Sequence, residues 1–270
     1  MEVIKKLVLE AGEILMNFYN NGVSVDYKGS RDLVTTADIT VENFFKEKLN
    51  KYFPKIPLVG EETSTGERFE SAFILDPLDG TTNFAHRYPA FCISIAYMEK
   101  GRIMEGWVYN PVLKEFFYGK DGKGAFLNDE KISVSKTNNL KQSLLATGFP
   151  YLDEYMPQIL NYFNHILPYC QGIRRGGSAA LDLCYTACGR FDGFFELGLK
   201  PWDVSAGILF IREAGGTVTD IFGKPADPYD KHFVATNSLI HQNILKLIEK
   251  ANRSMEIFKD YFNGRVLVEN

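Results

Sequence analysis

The stretch Ala72-Phe73-Ile74-Leu75-Asp76-Pro77-Leu78-Asp79-Gly80-Thr81-Thr82-Asn83-Phe84 joins an apolar run to a polar loop. Its first four residues predict a short buried strand that runs into Asp76-Pro77. Pro77 restricts the backbone and Gly80 lets it turn. Two carboxylates three residues apart at a strand exit can converge on a hard divalent cation. Mg²⁺ takes oxygen ligands in an octahedron and keeps several waters, so a few carboxylates and a substrate phosphate complete its shell. The Leu78 carbonyl, pinned between Asp76 and Asp79, is a natural further ligand. Gly80, Thr81 and Thr82 offer backbone N–H groups at an expected helix start, where anions are stabilised. Asp-Pro and Asp-Gly alone form turns, in which the two Asp side chains would simply cap a helix. Strand exit, paired carboxylates and hydroxyl-bearing loop together are far more specific than either dipeptide.

Two other segments add acidic groups. Val59-Gly60-Glu61-Glu62-Thr63 places two carboxylates just after an expected strand, although a surface Glu-Glu pair is the commoner situation. Lys200-Pro201-Trp202-Asp203-Val204 opens an apolar helix with an Asp in its first turn, where capping alone would account for it.

Around these segments the periodicity predicts an amphipathic helix from Val3 through Phe18 that ends before Asn20-Asn21-Gly22. The polar stretch 28–32 is followed by 32–38, which supplies capping side chains for a second helix over 39–52. Residues 92–135 read as antiparallel strands, CISIAYM, IMEGWVY, EFFYG and KISVS, separated by turn dipeptides such as Lys100-Gly101 and Asn110-Pro111. From about residue 139 strands (SLLAT, FDGFFEL, GTVTD, HFVATN) alternate with helices over 157–167, 179–188, 201–213 and 238–251. This is mixed α/β patterning. A soft boundary near 137–140 divides the chain into an N-terminal α+β half (1–138), carrying most of the acidic ligands, and a C-terminal α/β half (139–270). Residues 254–270 carry no functional account.

The composition narrows the function. Thirty Lys and Arg against 34 Asp and Glu leave a net charge of −4, too mild to imply a nucleic-acid footprint by bulk electrostatics. No apolar run approaches the ~20 residues of a membrane span. The first helix mixes charges into its apolar positions, unlike a secretory leader, so a cytoplasmic location is expected. Cys92, Cys170, Cys184 and Cys188 form no CxxC pair and read as reduced thiols rather than disulfides or a zinc site. The four His residues match no motif.

GEET at 60–63, DPLDGTTNF at 76–84, PWDVSAG at 201–207 and EAGG at 213–216 occur in the order and separations that resemble the inositol monophosphatase family. These are magnesium-dependent, lithium-sensitive phosphatases, and the resemblance covers roughly residues 1–250. RRGGSAALDLC and GRFDGFFELGLKPWD look closest to bacterial and archaeal members. The resemblance implies a layered α/β/α/β/α sandwich, a homodimer, two or three Mg²⁺ ions and a small phosphate ester as substrate. Glu61, Asp76 and the Leu78 carbonyl match the first metal site. Asp76, Asp79 and Asp203 match the second, with Glu61 holding a third ion through water. Thr81, polarised by Asp38, matches the residue that orients and deprotonates the attacking water, with Glu62 assisting. Glu61, Asp79, Gly80, Thr81, Gly177, Ser178, Ala179, Glu196 and Asp203 match substrate contacts. Arg174, with Arg175, reads either as a solvated basic pair or as a clamp on a second substrate phosphate.

Inositol 1-phosphate is the substrate expected first. Fructose 1,6-bisphosphate and nucleotide or NADP phosphates are alternatives on the same site. A role in binding RNA or the transcription machinery, reported for bacterial relatives, is an alternative of another class.

Overall fold

The computed structural model describes residues 2–22, 25–27, 33–64, 66–150 and 153–266, with side chains described to residue 255 but not at 25–27, 33 or 153. The elements are α1 (Glu2–Asn21), β1 (Val25–Tyr27), β2 (Leu33–Thr35), α2 (Thr36–Tyr52), β3 (Leu58–Gly60), β4 (Ala72–Asp79), α3 (Thr81–Ala85), β5 (Cys92–Glu99), β6 (Arg102–Asn110), β7 (Glu115–Lys120), β8 (Gly124–Leu127) and β9 (Glu130–Lys131). The chain continues with β10 (Leu144–Thr147), α4 (Met156–Ile166), β11 (Gly172–Arg174), α5 (Ala179–Ala187), β12 (Gly193–Leu197), α6 (Pro201–Glu213), β13 (Thr217–Thr219), β14 (His232–Thr236) and α7 (His241–Val266).

Strands β3 to β9 form a seven-stranded sheet in sequence order, and the second sheet has the order β11-β10-β12-β14-β13. In the first, β3 and β4 are parallel and the rest antiparallel. In the second, β10 runs parallel to β11 and β12, while β14 is antiparallel to β12 and β13.

Side-chain alternation along the strands sorts the core into layers. Phe73 and Leu75 of β4, with Ile93, Ile95 and Trp107, meet Ile4, Val8, Ala11, Val41 and Phe45 of α1 and α2. Ala72 and Ile74, one register step away, face the opposite side with Ala96 and Val108, against Ile208 and Phe210 of α6 and Leu183 of α5. The same helix pair covers Phe194, Phe233 and Ala235 of the second sheet. Leu145, Phe195 and Val234 point away from it and bury Ile159, Tyr162 and Ile166 of α4 and Ile244 and Ile248 of α7. The result is the expected α/β/α/β/α sandwich. Helices on both faces explain why β4 up to Leu78 and all of β12 are buried without a break rather than alternating.

Helix α6 can approach β6 and β7 closely because Gly106 and Gly119 lie beneath Phe210; a Cβ on Gly119 would stand 2.6 Å from that ring. Phe210→Ala empties the contact at the middle layer and is expected to cost ~3–5 kcal/mol, read from urea denaturation.

Several elements differ from the expectations. Helix α2 begins at Thr36 rather than at 39, because Thr35 caps it and Asp38 closes a capping box on the Thr35 N–H. KISVS contributes only Lys131 to the two-residue β9: Ile132 and Val134 alternate inward but hydrogen-bond singly, to Ala125 and Ala214, without a ladder. Strands β8 and β11 were not anticipated, being short and Gly-led. The final helix runs past residue 251 to Val266. The polar stretch 28–32 lies outside the described residues. All four cysteines are free thiols, Cys92 and Cys184 buried. Among the described residues no helix is long and apolar enough to cross a membrane.

Candidate active site

Strand β4 does not end before the carboxylates but carries them. Its pairing with β5 shifts register between Asp76 and Asp79, because Pro77 has no N–H to give the ladder. In this bulge the Leu78 N–H donates to Asp76 Oδ1 at 2.9 Å, which holds the buried Asp76 carboxylate in place. Gly80 follows with φ +95°, and a Cβ there would stand 2.8 Å from the Ala90 carbonyl oxygen, so only glycine makes this turn without strain.

The other acidic residues arrive from distant segments. Asp203 caps α6, accepting from the Lys200 N–H at 2.7 Å, so the capping role holds and the carboxylate is fixed by it. Asp79 Oδ2 accepts from the Ser178 hydroxyl at 2.6 Å and from the Ala180 N–H at 2.7 Å, which ties the end of β4 to the start of α5. Asn83 makes a second tie, donating to the carbonyls of Ala90 (2.6 Å) and Gly176 (2.9 Å). Glu61 follows β3, the parallel neighbour of β4.

These ties shape a cavity of about 360 Å³ lined by Glu61, Asp79, Gly177, Ser178, Ala179, Glu196 and Asp203, with Asp182, Arg175, Gly148 and Trp202 completing the walls. Asp76 lies behind it, buried, and burial followed by the charges of Glu61, Asp79 and Asp203 raises its carboxyl well above the usual range. Asp203 is raised by burial, then by Asp79 and Glu61. Asp79 is pushed up to about 6 by burial, opposed by its Ser178 and Ala180 hydrogen bonds and by the Arg175 charge. Glu196 and Asp182 are also raised by burial first. Gly148 lets the chain pass directly over Glu196, since a Cβ there would meet its carboxylate at 2.0 Å.

Among the described residues no three acidic, His or Cys side chains are already gathered into a ready-made cation cage. The donor set nevertheless fits a hard cation. It is all oxygen, it is anionic, and its members raise one another's pKa by repulsion, which a bound divalent ion would relieve.

Thr81 and Asp38 stand beside this set. The Thr81 Oγ1 lies 3.1 Å from Asp38 Oδ1 and 3.0 Å from the Leu78 carbonyl oxygen, and its single proton can go to either. Asp38 Oδ2 accepts from the Thr35 N–H and hydroxyl, so one buried carboxylate caps α2 and faces Thr81 at once. Burial pushes the Asp38 carboxyl up to about 6, against the lowering effect of the Thr35 hydrogen bonds. A buried acid of raised pKa favours the fold while protonated. Its contribution is full below about pH 4 and is lost as pH rises through about 6. Relative to Asp38→Asn, the wild-type protein in chelator is therefore expected to lose ~3 kcal/mol of stability between those pH values, read by calorimetry. A difference that grows with pH would contradict this.

Of the residues singled out in the sequence, Glu61, Asp79, Gly177, Ser178, Ala179, Glu196 and Asp203 line the cavity, whereas Asp38, Glu62, Asp76, Leu78, Gly80 and Thr81 do not, and neither does Arg174. It ends β11, is exposed, and is followed by Arg175 on the cavity wall. Asp182 and Gly148 escaped the sequence reading. Asp182 had a signal, a carboxylate inside the apolar run Ala179-Ala-Leu-Asp182-Leu-Cys184, four residues after Ser178 and hence on its face of α5.

The family model described as the inositol monophosphatase family matches residues 1–253. A Synechocystis inositol-1-monophosphatase is 40% identical over 252 residues, covering 90% of this chain and 86% of that protein. A Neisseria meningitidis serogroup B protein named putative Nus factor SuhB is 40% identical over 248 residues, covering 90% of this chain and 95% of that protein. The crystal structure of the extragenic suppressor protein suhB from Bartonella henselae superposes with a TM-score of 0.87 at 40% identity, covering 93% of this chain and 98% of that one. An IMPase/NADP phosphatase complexed with Mg²⁺ and phosphate superposes with a TM-score of 0.81 at 26% identity, covering 91% and 93%. With its bulged β4, its layered fold and a match that spans nearly its whole length, this chain belongs to the inositol monophosphatase family.

Proposed function

We propose that this protein hydrolyses phosphate monoesters with Mg²⁺, inositol 1-phosphate first among them. The observation that carries the reading is the burial of Asp76 among Glu61, Asp79 and Asp203, an arrangement that repels itself without a cation. Glu61, Asp76, Asp79, Asp203 and the Leu78 carbonyl would hold two or three ions. When bound, Mg²⁺ supplies charge neutralisation on the phosphoryl and leaving oxygens and makes a bound water more acidic.

The chain's own groups do the rest. In the proposed step the Thr81 oxygen takes the proton of the attacking water while its own proton passes to Asp38 Oδ1, with Glu62 supporting through its charge next to Asp38. Asp38, with a pKa of about 6, is ionised at neutral pH and able to accept. The N–H groups of Gly80 and Thr81 and the loop Gly177-Ser178-Ala179 face the phosphate in this reading. Asp79 and Glu196 accept hydrogen bonds from the polyol hydroxyls, and the cavity of about 360 Å³ has the volume of a small-ligand site.

Phosphate release from inositol 1-phosphate, assayed with and without Mg²⁺, tests the reading. Activity undiminished in chelator would overturn it. A panel with fructose 1,6-bisphosphate and NADP, compared by kcat/KM, assigns the substrate; in this reading Arg175, which lines the cavity, would meet a second phosphate rather than Arg174. The resemblance to the family also supports a homodimer; within each chain we propose two halves, 1–138 and 139–270, and the charges mixed into the first helix support a cytoplasmic location.

A second reading, contact with the transcription machinery, is favoured by the likeness to a protein named as a Nus factor and by the exposure of Arg174 and Arg175. Pull-down from cell extract, wild type against the Arg174/Arg175 double Ala variant, decides it. Identical partners in both would remove the arginines from that role.

A further inference from the structure

One buried carboxylate stands next to this site without a part in the reading above. Glu42 lies on α2 one turn beyond Asp38 and is only 2% exposed. Its Oε2 accepts a hydrogen bond from the Glu62 N–H at 2.8 Å. Its Oε1 is buried with no hydrogen-bond partner among the described residues. The end of β3 lies directly on this carboxylate, for a Cβ on Gly60 would stand 2.5 Å from the Glu42 carboxyl carbon. The neighbouring Glu61 N–H donates the other way, to the Leu75 carbonyl of β4 at 3.2 Å.

Two consecutive peptide N–H groups are thus held by different elements, one by the strand and one by the helix. Between them they set the direction in which the Glu61 side chain leaves the backbone. We infer that Glu42 is the positioning residue for Glu61, and that α2 aligns two parts of the site at once. Its Asp38 faces Thr81, and its Glu42, four residues later on the same face, fixes the Glu61-Glu62 peptide. Burying a carboxylate oxygen without a partner costs stability, so fold stability does not account for this side chain. Groups that orient a cation ligand from behind typically change metal affinity 10–100-fold when removed.

This inference rests on the cation reading of the site, and the test separates the two. Mg²⁺ binding to the substrate-free protein is measured by titration calorimetry for the wild type, Glu42→Gln and Glu42→Met. Gln keeps an acceptor for the Glu62 N–H, and Met keeps the volume without one. Glu42→Gln is expected to bind close to wild type and Glu42→Met 10–100-fold more weakly. In phosphate-release assays the Met variant should recover at high Mg²⁺, a shift in requirement rather than in kcat. Gly60→Ala, whose Cβ displaces the carboxylate without altering its charge, should reproduce the loss and serves if Glu42→Met fails to fold. Wild-type protein that binds no Mg²⁺ overturns the cation reading and this inference with it. Wild-type binding matched by Glu42→Met and Gly60→Ala overturns the positioning role alone, as does an equal loss in Glu42→Gln, which would assign the effect to charge.

Discussion

Asp76→Asn is expected to lower kcat/KM for phosphate release about 10³-fold while raising the melting temperature of the metal-free protein by a few degrees. The two effects share one cause. Asp76 is 2% exposed and its carboxylate is repelled by Glu61, Asp79 and Asp203. Asn keeps the shape and the oxygen that accepts from the Leu78 N–H, so the bulge survives. What it loses is the negative charge. Without a cation that charge destabilises the fold; with one it is a ligand that the proposed chemistry depends on. Assays across a Mg²⁺ series, paired with calorimetry in chelator, read both quantities. Full activity in the variant would remove Asp76 from the site. A fall in both activity and stability would mean that the substitution had simply damaged β4.

Thr81→Ala should reduce kcat by about 10²–10⁴-fold with little change in KM, because the hydroxyl is proposed to relay a proton rather than to bind substrate. Thr81→Ser restores an oxygen at the same branch point and should recover most of the rate. The pH profile supplies the second check. Asp38 must be ionised to take the proton, so log kcat is expected to rise with pH and level off above about 6. Asp38→Asn should lose both the rate and that limb of the profile. A Thr81→Ala enzyme with normal kcat would place the proton acceptor elsewhere, while a profile unaffected by Asp38→Asn would detach Asp38 from the relay.

Thr81 and Asp38 also illustrate what was legible before the fold was known. Asp38 lies in a stretch that reads as supplying helix caps and also matches the residue that polarises Thr81, two roles that one side chain can fill together. It does both, because a carboxylate has two oxygens and the capping box engages only one of them. Asp203 behaves in the same way, capping α6 and lining the cavity together. In each case the local reading was right and incomplete.

Short-range chemistry was readable from the chain alone. Apolar periodicity located most of the helices, turn dipeptides separated the longer strands, and the run from Asp76 to Phe84 announced an acidic site at a strand end. All of these depend on neighbours within a few residues, so sequence order carries them. The rest depended on which faces of distant elements the sandwich presses together. Only the packing decided that Arg175 rather than Arg174 reaches the cavity, that Asp182 joins Glu196 on its wall, and that Glu42 lies under Gly60. Strand alternation and helix-on-sheet packing fix such pairs across tens to hundreds of residues, and no local pattern encodes which of two adjacent side chains turns inward.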